Sequence, residues 1–174
     1  MRFILACHQG LKPITQTCGV DMFQYDKIID LNEIELLNSL THGQIDILKR
    51  YITTKFYKKD SIIFQTGDKG NEIYFIRKGE VSIIHKLTED ISNRIITYGA
   101  GANFGEMAMI DMKPRSATVI ATKDCELYCL LKKDFYKLLD KNPEIGLKLL
   151  NNICIFLSRR LRSISKELKI LSET

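Results

Sequence analysis

Between residues 52 and 131 the apolar side chains recur at every second position in short runs, and each run closes on glycine or a polar cluster. Successive side chains of a strand point to opposite faces, so this period commits the segment to half-buried strands. Thr53, Lys55 and Tyr57 alternate with Thr54 and Phe56. Further strands are predicted over 61–65, 72–77, 81–87, 94–98, 117–122 and 125–131. Gly67, Gly79, Gly101 and Gly105 fall at the turns, where positive φ or close backbone approach is expected. About eight short strands at regular spacing specify a sandwich or barrel.

The flanks change period. Leu31, Ile34, Leu37 and Leu40 have helical spacing behind a candidate cap at Asp30, which predicts a helix over 31–40. Thr41-His42-Gly43-Gln44 reads as a capping box opening a second helix that runs to about Tyr51. After the strands, a helix is predicted over 132–141, ending before Asn142-Pro143. A long helix follows over 144–171, with Pro143 just ahead of it. Its apolar residues Leu150, Cys154, Leu157, Leu161, Ile164, Leu168 and Leu171 are spaced by alternating steps of four and three, a heptad seam between charged flanks. The seam either pairs with a second copy in a parallel coiled coil or folds back on its own strands. Three repeats favour the homodimer.

Length and composition narrow the class. At 174 residues the chain is one good-sized domain, or a domain with an appendage. No apolar run approaches the ~18 residues of a membrane span. A net charge of +5 suits anionic ligands without demanding nucleic acid. The five cysteines (7, 18, 125, 129 and 154) are odd in number and form no zinc-type pairs, which points to reduced thiols in a cytoplasmic protein. The histidines are His8, His42 and His85, without His-x-His spacing. No nucleophile–base pair has motif support, so no enzyme, metal or cofactor is expected.

The stretch FGEMAMIDMKPRSAT, residues 104–118, carries the chemistry. A glycine and a carboxylate open a short apolar turn, and Arg115 returns nine residues after Glu106. Unpaired N–H groups at the start of a helix favour an anion, and an arginine can complete the cradle with a forked charged donor. A carboxylate beside them cannot serve a phosphate, but it can accept hydrogen bonds from sugar hydroxyls.

Phe104-Gly105-Glu106-Met107-Ala108 followed by Arg115-Ser116-Ala117-Thr118 resembles the phosphate-binding cassette of cyclic nucleotide-binding domains, F-G-E-x-A, a short loop, then R-x-A-T. The resemblance extends over the earlier strands and their Lys78-Gly79-Glu80 turn. It implies an α+β fold: an eight-stranded antiparallel β-roll, jelly-roll-like, with N-terminal helices and a long C-terminal helix, over residues 31–174. Residues 104–108 and 115–117 are then the nucleotide site, with Arg115 on the phosphate, Glu106 on the ribose 2′-hydroxyl and Ser116 near phosphate or purine. Serine at 116 leans towards cAMP over cGMP. In such domains a residue of the final helix covers the base; Arg160, Ser163, Ile164 and Ser165 are the candidates here, Ile164 falling where a polar contact is expected. Ile83, Phe75 and Tyr98 are candidate walls, although core packing accounts for each. Arg115→Leu is then expected to abolish binding and leave the fold intact.

The function implied is a regulatory module that binds cAMP and signals by moving its last helix to an attached or partner effector. The alternative is a degenerate roll that serves only dimerisation or protein contacts. No helix-turn-helix follows, so DNA is not an expected partner. Residues 1–30 form an appendage with two readings. Ile4-Leu5, Leu11-Lys12-Pro13, Gly19-Val20-Asp21-Met22-Phe23 and Ile28-Ile29-Asp30 resemble the closing segment of a STAS domain. The other reading is a lead-in packed on the main domain.

Overall fold

The computed structural model describes residues 28–85 and 94–172. Residues 1–27, which hold most of the STAS-like segment, lie outside the described residues.

Among the described residues, eight strands form two four-stranded antiparallel sheets. The first orders β1 (Ile52–Tyr57), β8 (Cys125–Leu131), β3 (Glu72–Lys78) and β6 (Asn103–Phe104). The second orders β2 (Ile62–Phe64), β7 (Thr118–Ala121), β4 (Glu80–His85) and β5 (Arg94–Gly99). This is the expected α+β roll. Strands β4 and β7 alternate buried and partly exposed residues, as the period of two requires. Strand β3 does not: Ile73, Tyr74, Phe75 and Ile76 are all buried. Adjacent side chains point to opposite faces, so both faces of β3 are covered. Helices α1 (His42–Lys49), α2 (Glu106–Asp111) and α3 (Lys132–Lys141) pack against strands of this sheet.

The segment 31–40 departs from its predicted α-helix. It forms two 3-10 helices, Leu31–Glu33 and Glu35–Leu37, broken at Ile34, whose ψ of 124° is extended. Leu31, Ile34 and Leu37 are spaced by threes and all buried. The extended Ile34 is itself fully buried, so two short helices joined through it, in place of one continuous α-helix, turn Leu31, Ile34, Leu36 and Leu37 to the core. The Thr41–Gln44 capping box forms as expected: Gln44 N donates to Thr41 Oγ1 at 3.3 Å, and Thr41 N donates to Gln44 Oε1 at 3.1 Å.

Strand β6 has no counterpart in the periodicity, because two residues are too few to show one. Its register sets Phe104 opposite Tyr74 and Asn103 opposite Phe75, so Phe104 and Asn103 point to opposite faces. Phe104 stacks on Tyr74 with ring centroids 5.0 Å apart, and Phe64 lies 5.9 Å from Phe104. These rings fix the start of the cassette in the core.

Helix α4 (Pro143–Ser172) spans 30 residues, ~45 Å at 1.5 Å per residue. Its first half is anchored through buried Ile145, Leu149 and Ile153. A Cβ on Gly146 would lie 2.3 Å from Leu139 Cδ2, so α3 and α4 cross where only glycine fits. Asn152 Nδ2 donates to Leu36 O at 2.7 Å and to Ser39 Oγ at 2.8 Å, tying α4 to the 3-10 segment. The predicted seam divides along the helix. Leu150 and Leu157 lie partly buried on the domain's own core, while Leu161 and Ile164 are exposed. No helix among the described residues is long and apolar enough to cross a membrane.

Candidate functional site

An open cleft lies between the cassette and α4, lined by residues 104–108 and 115–117 together with Phe64, Ile83, His85, Val119 and Arg160. Every cassette residue singled out from the sequence therefore comes to one place. Ser163, Ile164 and Ser165 do not line it; they sit on the exposed outer half of α4, with Ser165 Oγ donating to Leu161 O at 2.9 Å. Of the candidate walls, Ile83 lines the cleft and Phe75 is a core residue of β3. Tyr98 lies under Arg160, whose guanidinium carbon is 5.7 Å from its ring centre.

Gly105 is the N-cap of α2 with φ 81°, the left-handed region that favours glycine. A Cβ there would also lie 2.6 Å from Arg115 Nη1. Gly70, in the β2–β3 turn, is the opposing requirement: its Cβ would meet that of Ala108 at 2.1 Å. Helix α2 thus sits down on the β2–β3 turn. Backbone bonds from Gly67 N to Arg115 O (2.9 Å) and from Arg115 N to Asp68 O (2.8 Å) close the same junction.

Arg115 is 4% exposed. Nη1 donates to Gly105 O and Nη2 to Glu72 O, each at 2.8 Å, and the guanidinium carbon lies 4.1 Å from the Phe64 ring centre. Burial pulls its pKa down from the ordinary arginine value. Its Nε is buried with no partner among the described residues. The expectation that Arg115 can be removed without touching the fold is therefore corrected, because its donors clamp two backbone carbonyls. Glu72, which supplies one of them, is fixed in turn. Its carboxylate takes a 2.7 Å bond from Lys55 Nζ, a 2.9 Å bond from the Cys129 thiol and one from the Tyr74 hydroxyl. Burial raises the pKa of this carboxyl, but the three bonds together outweigh it and the net shift is downward. Burial and the neighbouring Glu72 push the Cys129 thiol up to about 12.

Glu106 is 1% exposed. Oε1 accepts a 3.2 Å bond from Arg160 Nη1, and Oε2 has no partner among the described residues. Burial raises its pKa above the ordinary carboxylate value, and the opposing pull of Arg160 does not cancel it. Below ~4.3 the folded and unfolded chains both hold this proton, and the ionisation contributes nothing. Above it the unfolded chain releases its proton first, so stability falls until the folded carboxyl has ionised as well. Glu106→Gln cannot ionise. It is expected to match the wild type in melting temperature near pH 4 and to exceed it at pH 7, read by thermal melts across that range. An equal melting temperature at both pH values would show that the buried charge costs nothing.

The fold and cleft define a β-roll with one shared pocket: a buried arginine and a buried carboxylate line it with a glycine-turned helix start, and a long helix closes its side. The model of the cyclic nucleotide-binding domain matches residues 54–142. The cyclic AMP receptor protein of Thermus thermophilus is 30% identical over 137 residues, 79% of this chain and 62% of that protein. The crystal structure of a cyclic nucleotide-binding domain from Methylobacillus flagellatus superposes with a TM-score of 0.71 at 30% identity, covering 82% of this chain and 79% of that one. Glutaminase 2 of Bradyrhizobium diazoefficiens is 30% identical over 144 residues, 83% of this chain but 22% of the enzyme. The chain belongs to the cyclic nucleotide-binding domain family. It spans less than two thirds of the length of either of these curated relatives.

Sequence reasoning missed Phe64, His85, Val119 and the Glu106–Arg160 pair. Phe64 and Val119 look like ordinary strand residues, and nothing local marks them. The pair joins residues 54 apart, and the arginine's place on α4 was the only available signal.

Proposed function

We propose that this chain is a regulatory module that binds cAMP, with cGMP second, in the cleft between the cassette and α4. The observation that carries this is the pair of buried, opposite charges lining one cleft, each with an unpartnered polar atom: Arg115 Nε and Glu106 Oε2. Buried polar groups are almost always paired in native proteins, so two such orphans in one pocket fit a ligand that supplies an anion and a hydroxyl. Arg115 takes the cyclic phosphate together with the backbone around Gly105 and Ala108, and Glu106 takes the ribose 2′-hydroxyl. Exposed Ser116 lies at the mouth, where a serine favours cAMP. Arg160 is the candidate for the base, since its flat guanidinium can stack on a purine.

Signalling follows from the bond that Arg160 already makes. A sugar hydroxyl competes with Arg160 for Glu106, so nucleotide favours a different seat for α4, a population shift between two arrangements. The exposed Leu161 and Ile164 then present the outer half of α4 to a second copy in a homodimer, or to an attached or partner effector. The module itself is non-catalytic and works in the cytoplasm.

Titration calorimetry and thermal melts with cAMP and cGMP test the reading. At ~100 times the dissociation constant, a ligand that binds only the folded state stabilises it by about 2.7 kcal/mol. In a chain of this size that raises Tm by roughly 5–10 °C. Absence of heat and of any Tm shift with either nucleotide at ~1 mM would refute nucleotide sensing and leave the dimerisation module as the reading.

A further inference from the structure

Among the described residues the buried polar and charged side chains are Asn103, Glu106 and Arg115. Two have roles in the site proposed above, and Asn103 has none. It is 2% exposed on β6, one residue before the ring that anchors the cassette. Its Nδ2 is buried and meets no hydrogen-bond partner among the described residues. A buried amide donor without a partner is costly and rare. The unpartnered acceptor near it is Glu106 Oε2, three residues on. The two groups lie close enough for the Asn103 amide to hold back the rise in the Glu106 pKa. A buried donor and a buried acceptor, each without another partner among the described residues, thus face the same site.

We propose that Asn103 is a positioning residue: its side-chain amide holds the Glu106 carboxylate in the orientation that receives the sugar hydroxyl when Arg160 is displaced. This rests on the reading of Glu106 as the ribose acceptor. The reason is rotational. The terminal torsion of a glutamate is broad, so a carboxylate held through one oxygen is poorly fixed. Arg160 holds only Oε1, from a helix that the ligand moves. Asn103 is on the sheet and stays. Each carboxylate oxygen accepts two hydrogen bonds, so an amide on Oε2 leaves room for a hydroxyl on the same oxygen.

A double-mutant cycle between protein and ligand tests this, using cAMP and its 2′-deoxy analogue as probes. In the wild type, the affinity ratio of cAMP to the 2′-deoxy analogue measures the Glu106–hydroxyl contact. Asn103→Leu, which keeps volume and removes the donor, is expected to lower that ratio by about tenfold, with 2′-deoxy-cAMP binding within a factor of three of the wild type. Asn103→Ser, which restores a donor, should recover part of the ratio. If the leucine variant does not fold, Asn103→Ala gives the same readout. A ratio unchanged in the donor-less variant overturns the proposal. So does a parallel loss of affinity for both ligands, which is the mark of a merely structural residue. A wild type that binds cAMP and its deoxy analogue equally refutes the ribose role of Glu106 itself, a failure distinguishable because it precedes any substitution.

Discussion

Arg115→Leu is expected to lower cyclic nucleotide affinity by about 100-fold or more, and to lower the melting temperature at the same time. The first effect follows from removing the proposed cationic partner of the phosphate, where each charge-assisted bond in a shielded site contributes ~1.5–3 kcal/mol. The second follows from the carbonyls of Gly105 and Glu72, which lose donors 2.8 Å away. Leaving buried acceptors unmet costs about 2–3 kcal/mol, on the order of 5–10 °C in a chain of this length. Arg115→Lys separates the two roles. A lysine carries the charge but cannot span both carbonyls, since its ammonium is a point donor where arginine is a fork. It should recover part of the affinity and less of the stability. Calorimetric titration and thermal melting on both variants check this. Wild-type affinity in the leucine variant would remove Arg115 from the phosphate site, and an unchanged Tm would remove it from the framework.

Phe104→Ala is expected to cost about 3–5 kcal/mol of folding stability, the range for deleting a fully buried aromatic ring. That corresponds to a Tm fall on the order of 10 °C. Phe104 is 1% exposed and stacks on Tyr74, and it lies directly before the glycine that turns the cassette. Nucleotide affinity should fall with it, because β6 is only two residues long and has no other large anchor. Phe56→Ala is the control. Its ring is 75% exposed on β1, and its removal should change stability by no more than about 0.5 kcal/mol. Comparable losses in both variants, measured by denaturant titration, would mean that the stacked rings are not the anchor.

The roll was legible because its strands follow a period of two and its turns carry glycine. The cassette was legible because its residues are contiguous. What escaped was whatever depends on contacts across the chain. The segment 31–40 carried a helical spacing, and only the extended, buried Ile34 divides it into two short 3-10 helices. Nothing local distinguishes Gly70 within its turn, yet it is the seat of Ala108, 38 positions away. Arg115 read as a ligand for phosphate alone, and its donors to Gly105 and Glu72 became visible only when β3 and α2 were brought together. The final helix shows the same limit. Its heptads predict a face, but anchorage through Ile145, Leu149 and Ile153 takes its first half onto the domain's own core.

The two buried charges differ in what would become of them if nucleotide were no longer used. Arg115 serves the empty domain through the two carbonyls it clamps, so selection for folding alone would retain it. Glu106 is a burden on the empty domain, since burial works against its charge. In a descendant that had turned into a plain interaction module, drift towards glutamine or an apolar residue at 106 would come early and be rewarded, while 115 stayed arginine. On the proposed nucleotide-binding function, the glutamate at 106, more than the arginine of the motif, is therefore the mark of a site still under demand.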